Sequence, residues 1–242
     1  MYLDYYIMGI ILLPGIIFAS WAQAKVNSTY KKYAEYFTGS GLTAAEFIKR
    51  LLGAADMGDI QVTQIHGHLN DHFDPRNNRI CLSDSVYSST SVSALGVACH
   101  EFGHALQRKE KYGPYQLRRI LIPLTNFASN LLWPLVIVGL IFNFGISIDG
   151  SNIGNIFMWS GVIVFGLSVL VNLVTLPVEF NASKRAVKIL QTTGIMTEEE
   201  IDGTKSVLTA AALTYVAALL VSMLSFLRFI LVFIARNRDW KN

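Results

Sequence analysis

The segment Val97-Ala98-Cys99-His100-Glu101-Phe102-Gly103-His104-Ala105-Leu106 contains the pattern H-E-x-x-H. Residues four apart on an α-helix lie on one face, so His100 and His104 can direct both imidazoles at one Zn²⁺. Glu101 projects about 100° further around the axis, beside the open coordination position. Zn²⁺ lowers the pKa of a bound water to about 7, and a neighbouring carboxylate can take its proton and pass it to a leaving amine. The pattern predicts two metal ligands and a general base for peptide-bond hydrolysis.

The residues before the pattern decide between this interpretation and a chance match with two solvated histidines. Ser91 is a suitable helix N-cap, and the run from Val92 to Cys99 is mostly apolar, which predicts a buried helix. Buried imidazoles and charges need partners. We therefore expect one zinc ion per chain.

Composition places this helix in a membrane protein. The chain has 242 residues, of which 52% are hydrophobic and 15% are charged, whereas soluble domains carry about 25% charged residues. Four uncharged runs are each long enough to cross roughly 30 Å of hydrocarbon as a helix: Tyr5–Ala24, Ile120–Ile148, Gly150–Val178 and Ser206–Leu227. We predict a mainly α-helical integral membrane protein with about four transmembrane helices. The net charge of +3 is too small and too scattered to predict nucleic-acid binding.

The first apolar run has an alternative interpretation as a signal peptide, because Ala22-Gln23-Ala24 resembles a cleavage site. A signal peptide carries lysine or arginine ahead of its apolar run, and this chain has Asp4 there. The sequence therefore favours a membrane anchor.

The basic residues predict which loops face the cytoplasm. The block from Lys25 to Arg119 holds twelve of the chain's 20 lysines and arginines, and the stretch 177–205 holds four more. By the positive-inside rule both lie in the cytoplasm, and the connection 143–155, whose only charge is Asp149, lies outside. We expect a multi-pass protein of the cell membrane with its active site on the cytoplasmic face. The side of the carboxyl terminus stays open, because Arg236 and Arg238 conflict with a complete fourth crossing.

The cytoplasmic block shows signals for a helix and a small sheet ahead of the zinc helix. Thr43-Ala44-Ala45-Glu46 is a capping box that opens an amphipathic helix ending near Gly53. Strand composition appears at 60–65, 68–73 and 79–82, with a tight-turn sequence at 74–78. We predict an antiparallel sheet, whose free edge can pair with an extended substrate.

Glu179 is the candidate third ligand. A catalytic zinc needs three protein ligands and a water. Glu179 directly follows the third apolar run, while His104 shortly precedes the second, so an antiparallel hairpin of these two runs brings both residues to one membrane face. The alternative is an interfacial acid at a helix end after Pro177.

The other three histidines, His66, His68 and His72, are spread over about 20 Å on one face of a strand, too far for one ion. We interpret them as polar strand or turn residues and keep His72 as a candidate active-site residue. Neither cysteine, Cys81 or Cys99, is assigned to the metal or to a disulfide.

Several segments together resemble the YugP-like family of neutral zinc membrane metallopeptidases. They are Leu69–Pro75, Ile80–Ser83, Ser91–Gln107, Tyr112–Pro114, Leu176–Ser183 and Val207–Ala217, so the resemblance covers nearly the whole chain. That family is similar in layout to the integral-membrane gluzincins, which include the HtpX-type and CAAX prenyl proteases.

The resemblance implies roles for particular residues. The third ligand of those gluzincins is the glutamate of an E-x-x-x-D motif, which maps onto Glu179 with Ser183 at the aspartate position. That aspartate orients a zinc-binding histidine; here a serine hydroxyl accepts the bond without charge, or Asp71 or Asp84 takes the role. Phe73 stands where we expect tyrosine, so it offers no hydroxyl for the oxyanion.

The sequence thus predicts a membrane-embedded, zincin-like metalloendopeptidase with Glu101 as base, and with His72 and Arg185 as candidates for stabilising the oxyanion. Its expected partners are the lipid bilayer and a membrane-associated polypeptide substrate. The alternative is a non-catalytic zinc-binding membrane scaffold or transport subunit. Against it, the apolar runs carry no ionisable group, and no fourth Cys or His is at hand to close a structural zinc site.

The predicted organisation has five segments. They are an anchor at 1–24, the zincin-like domain at 25–119, a transmembrane hairpin at 120–176, a helical third-ligand segment at 177–205 and a last transmembrane helix at 206–235.

Overall fold

The computed structural model describes residues 9–145 and 153–239. The elements in chain order are α1 (Leu13–Ala34), α2 (Ala44–Ala54), β1 (Gln61–Ile65), β2 (His72–Asp74), β3 (Arg79–Ser83), α3 (Asp84–Tyr87), α4 (Val92–Lys109), α5 (Gly113–Gly145), α6 (Ile153–Thr193) and α7 (Glu198–Asp239). The protein is mainly helical, as predicted, with one small sheet.

The chain divides into two compact units, and neither is continuous in sequence. One, the helical unit, combines the described parts of Met1–Ser20, Leu117–Thr175 and Tyr215–Asn242. The other, the site unit, combines Trp21–Gln116 with Leu176–Thr214. The site unit therefore brings the H-E-x-x-H helix together with a segment that follows it by some 70 positions in the chain.

The helical unit packs through small residues and presents apolar faces outward. A Cβ added at Gly15 would lie 3.0 Å from Leu224 and 3.1 Å from Val221, so α1 and α7 approach closely there. Phe165 of α6 and Phe229 of α7 have ring centroids 5.2 Å apart. Exposed apolar side chains are frequent on these helices, and those at least 65% exposed include Ile17, Phe127 and Ile163. Such faces suit a hydrocarbon surrounding.

Two helical segments among the described residues are long and apolar enough to cross a membrane, Trp159–Thr193 in α6 and Glu198–Leu231 in α7. They contain much of the third and fourth predicted runs. The first and second predicted runs extend into 1–8 and 146–152, which lie outside the described residues. The four-span topology therefore stays a prediction.

The helices are longer than the apolar runs. The predicted segment boundaries at 119/120, 176/177 and 205/206 fall inside α5, α6 and α7. Pro177 lies within α6, and the helix continues past it to Thr193. Glu179 therefore belongs to the same helix as the third apolar run.

The core of the site unit forms around α4 and α2. Ser91 accepts a hydrogen bond from the Ala94 backbone N–H, so the predicted N-cap of α4 is confirmed. The Thr43 capping box of α2 is also present in both directions. Ile48 of α2 and Leu95 of α4 are fully buried in one apolar cluster, and each such burial contributes about 1.5–3 kcal/mol.

The sheet differs from the prediction. Its strand order is β1-β3-β2, with β2 antiparallel and β1 parallel to β3, so the sheet is mixed. The predicted strand at 68–73 begins too early, because 66–71 is a loop in which Gly67 and Leu69 have positive φ values of 124° and 55°. Asp71 closes this loop by accepting hydrogen bonds from the Ser83 backbone N–H at 2.7 Å and hydroxyl at 2.9 Å. The chain thus crosses over before β2, and β1 joins the far side of β3 in parallel.

Candidate metal centre

Three ligand atoms from two distant segments converge in the site unit. The Nε2 atom of His100 lies 3.1 Å from Oε2 of Glu179, and Nε2 of His104 lies 3.6 Å from the same oxygen. His100, His104 and Glu179 can each offer one ligand atom, and these atoms lie within 4.8 Å of one another. Among the described residues no other group of three His, Cys, Asp or Glu has this geometry.

This donor set fits Zn²⁺. Two imidazole nitrogens and a carboxylate oxygen form a known catalytic zinc set, with bonds of about 2.0–2.1 Å and hence tetrahedral edges of about 3.3 Å. The two measured separations bracket that value. Burial supports the same conclusion, since Glu179 is 2% and Glu101 is 7% exposed. Two buried carboxylates beside each other require positive charge, which a divalent cation supplies.

A glycine lets the two ligand-bearing helices meet. A Cβ added at Gly103 of α4 would lie 2.8 Å from the backbone oxygen of Ala182 in α6, which is closer than real Cβ atoms approach. Gly103 lies directly before His104, and Ala182 lies within one turn of Glu179. The close backbone contact therefore sets the distance between the histidines and the glutamate.

Both imidazole rings are held through Nδ1. His100 Nδ1 lies 3.1 Å from the Ser183 hydroxyl, and His104 Nδ1 lies 3.0 Å from Oε1 of Gln107. A metal-ligating histidine commonly donates its second ring N–H to such a partner, which fixes the ring and its tautomer. These contacts leave both Nε2 atoms directed at Glu179.

Glu101 lies beside the cluster and is held by the sheet. Its Oε2 accepts a hydrogen bond from the backbone N–H of Phe73, at 2.8 Å. Burial raises the pKa of the Glu101 carboxyl, the imidazoles of His104 and His100 act against this rise, and the charge of Glu179 adds to it. A raised pKa makes a carboxylate a better proton acceptor, which suits a group that takes up and returns a proton.

His104 experiences the same two carboxylates. Burial alone would lower the pKa of its imidazole, but the hydrogen bond and charge of Glu179, together with the charge of Glu101, raise the pKa overall. A metal ion binds the unprotonated ring nitrogen, so metal binding works against this rise in pKa.

The remaining candidate site residues lie in several different surroundings. Ser183 contacts His100, whereas Asp71 and Asp84 bond to Ser83 and to Gln64 respectively. His72 is exposed at the start of β2 with Nδ1 near the backbone oxygen of Asn70. Arg185 donates to Asn181 and forms an ion pair with Glu110 at 2.6 Å.

Sequence reasoning missed two contacts. The sequence pattern assigns no role to Gln107, although a residue three positions after His104 on a helix lies on the same face, and this spacing is a usable signal. The backbone N–H of Phe73 carries no signal in the sequence, because it depends on how β2 lies against α4.

The fold and site thus define a helical protein with a His, His, Glu cluster suited to zinc and an adjacent glutamate. The family described as "putative neutral zinc metallopeptidase" matches residues 8–234, and the chain belongs to this family. It is 43% identical over 219 residues to the "Putative membrane protease YugP" of Bacillus subtilis (strain 168), covering 90% of this chain and 92% of that protein. No solved structure gives a significant match. The predicted family resemblance is confirmed.

Proposed function

We propose that this protein is a membrane-embedded, zinc-dependent metalloendopeptidase that hydrolyses peptide bonds of membrane or membrane-proximal proteins. The observation that carries the proposal is the convergence of His100, His104 and Glu179 on one point, with Glu101 fixed beside it by a backbone N–H. Family membership supports the same reaction class.

The proposed roles follow from the contacts. His100, His104 and Glu179 would hold the ion, and Ser183 and Gln107 would orient the two rings. When bound, Zn²⁺ supplies Lewis acidity that lowers the pKa of a water and polarises a carbonyl. Glu101 would take a proton from the attacking water and deliver it to the leaving amine nitrogen.

The edge of β2 is the proposed seat of the substrate. β2 pairs only with β3 in the described sheet, and the Phe73 N–H on its other side points at Glu101 rather than at a strand. An extended peptide added along this edge would pass beside Glu101. Because main-chain hydrogen bonds do not depend on side-chain identity, such binding would tolerate many substrate sequences. We therefore propose an extended segment of polypeptide as the substrate.

We propose a multi-pass location in the cell membrane with the site on the cytoplasmic face. The two apolar helical segments and the relative named a membrane protease support a membrane location, and the basic residues of 25–119 and 177–205 support the orientation. The five-segment organisation, from the anchor at 1–24 to the last helix at 206–235, is kept as a proposal.

Metal content tests the ligand set. Purified wild-type protein should contain about one zinc per chain, and Glu179→Ala should lose most of it, because a catalytic site keeps only three protein ligands. Plasma emission spectrometry on detergent-purified protein measures the ratio.

The matched control is Glu199→Ala, which removes an exposed acid of α7 and should leave the zinc content unchanged. Full zinc retention in Glu179→Ala would show that Glu179 is not a zinc ligand. A wild-type protein that takes up no zinc would overturn the proposed function.

A further inference from the structure

Gln107 lies between the H-E-x-x-H helix and α6 and is fully buried. Its Oε1 faces His104 Nδ1 at 3.0 Å. Its Nε2 donates to the backbone oxygen of Val178 at 2.8 Å and to Oδ1 of Asn181 at 2.9 Å. One carboxamide therefore contacts a candidate zinc ligand on one side and the neighbouring helix on the other.

The direction of each hydrogen bond in this group is determined by its partners. The Val178 carbonyl can only accept, so it requires the NH₂ end of the Gln107 side chain. Arg185 Nε can only donate, and it lies 2.7 Å from Asn181 Oδ1. The atom of Asn181 that faces Arg185 must therefore be the oxygen, and this same oxygen is the second acceptor for the Gln107 NH₂ group. Arg185 is itself held by the ion pair with Glu110.

Because the Gln107 NH₂ group donates to both Val178 and Asn181, only its Oε1 faces His104. The His104 Nδ1 must then carry the proton and donate it, because an oxygen lone pair and an unprotonated nitrogen do not bond. A neutral imidazole has one N–H, so the lone pair lies on Nε2. Nε2 is the atom that lies 3.6 Å from Glu179 in the metal centre.

We propose that Gln107 is a positioning residue that holds His104 in the tautomer with Nδ1 protonated, and that Asn181 and Arg185 fix the orientation of Gln107. The inference rests on the proposed zinc site and adds to it a chain of directed hydrogen bonds from an exposed ion pair to a ligand. Gln107 lowers the free-energy cost of metal binding, since the wrong tautomer does not have to be converted first.

Two substitutions separate this role from simple bridging between helices. Gln107→Met has similar length but no polar atoms, so the His104 Nδ1–H loses its acceptor. Gln107→Glu keeps an oxygen toward His104 but loses both donated bonds to α6. A bridging role predicts that Gln107→Glu is at least as damaging as Gln107→Met, whereas the positioning role predicts that Gln107→Glu retains the metal far better.

The experiment measures the zinc dissociation constant of detergent-purified protein by competition with a chelator, with the visible spectrum of the Co²⁺-loaded protein as a second readout. Gln107→Met should bind zinc about 10–100-fold more weakly than wild type, which is the usual effect of losing such a partner. Gln107→Glu should stay within about threefold of wild type, since its carboxylate still accepts the Nδ1–H bond. The exposed Gln191→Met on α6 is the control and should bind as wild type does.

Equal zinc affinity of Gln107→Met and wild type would overturn the inference while leaving the zinc site intact. Equal losses in Gln107→Met and Gln107→Glu would also overturn it, because they would show bridging alone. If Gln107→Met does not fold, a tenfold or greater loss in folded Gln107→Glu would have the same consequence. A wild-type protein without zinc affinity would overturn the proposed function, and this inference with it.

Discussion

At the scale of single residues, His100 is fixed through opposite ring nitrogens. Its Nε2 faces Glu179 at 3.1 Å and its Nδ1 faces the Ser183 hydroxyl at 3.1 Å. An aspartate at this position, as in the E-x-x-x-D motif of the membrane gluzincins that the sequence resembles in layout, would polarise the imidazole with a full charge. The Ser183 hydroxyl contacts the same ring nitrogen but carries no charge, so it should polarise the His100 ring less.

Ser183 substitutions test this contact. Ser183→Ala removes the acceptor and should weaken zinc binding about tenfold, whereas Ser183→Asp supplies a carboxylate and should strengthen it. Chelator competition measures both affinities. Ser206→Ala, at an exposed position of α7, is the control. Unchanged affinity in both Ser183 variants would show that the Nδ1 contact does not affect the metal.

Residue spacing predicted the part of the site that lies within one helix. His100, Glu101 and His104 follow from the helical period, and the buried character of the helix followed from the apolar run before them. Glu179 needed a topological argument about a hairpin of helices, and the structure places it in the cluster. Spacing could not predict the positions of His72 and Arg185. The loop before β2 determines where His72 lies, and the ion pair with Glu110 determines where Arg185 lies.

At the scale of elements, the distance between α4 and α6 is controlled by one glycine. Gly103 faces the Ala182 backbone with no room for a Cβ. Alanine stabilises an unconstrained helix by about 1 kcal/mol relative to glycine. The glycine at this contact therefore trades helix stability for a close approach of the two backbones.

Gly103→Ala should have the opposite effect from a normal helical Gly→Ala substitution. Overpacking should lower the free energy of unfolding by about 1–3 kcal/mol, and zinc affinity should fall because α6 moves away with Glu179. Gly53→Ala, in α2 with nothing within 4 Å of its added Cβ, should instead stabilise by about 0.5–1 kcal/mol. Denaturant unfolding of the detergent-purified protein measures the free energy of unfolding, and competition with a chelator measures the zinc affinity. Stabilisation of the protein by Gly103→Ala would contradict the close contact.

Local signals predicted the helices better than the sheet. Capping boxes and N-caps act within a few residues, so the start of α2 and the N-cap of α4 were found from the sequence. The strand pairing depends on a loop at 66–71 that is closed by Asp71 and Ser83. No pattern in strand composition encodes a bond between residues twelve positions apart, so the parallel pairing of β1 was missed.

At the scale of the whole molecule, the chain alternates between its two units. The site unit takes Trp21–Gln116 and Leu176–Thr214, and the described parts of the helical unit precede, separate and follow these segments. The apolar runs predicted segment boundaries at their ends, but continuous helices pass through these boundaries. The number of spans stays a prediction based on the apolar runs, and their orientation stays a prediction based on the basic residues.

Cysteine labelling tests that orientation. Both natural cysteines are buried, so an introduced cysteine should dominate the labelling. In intact cells an impermeant thiol reagent should modify Asn152→Cys, because the positive-inside rule places this connection outside, and should not modify Lys109→Cys. Both variants should react after the cells are permeabilised. The reverse pattern in intact cells would place the candidate site outside.

If Glu101 is the base of a zinc peptidase, zinc-loaded Glu101→Gln should cleave peptides far more slowly than the wild type. Glutamine keeps the size of the side chain and an oxygen for the Phe73 N–H but cannot accept the proton. The zinc content of this variant should equal that of wild type, and its rate of cleavage of a membrane-anchored, unstructured peptide should be about 10²–10⁴-fold lower. Cleavage by Glu101→Gln as fast as by wild type would show that Glu101 is not the base.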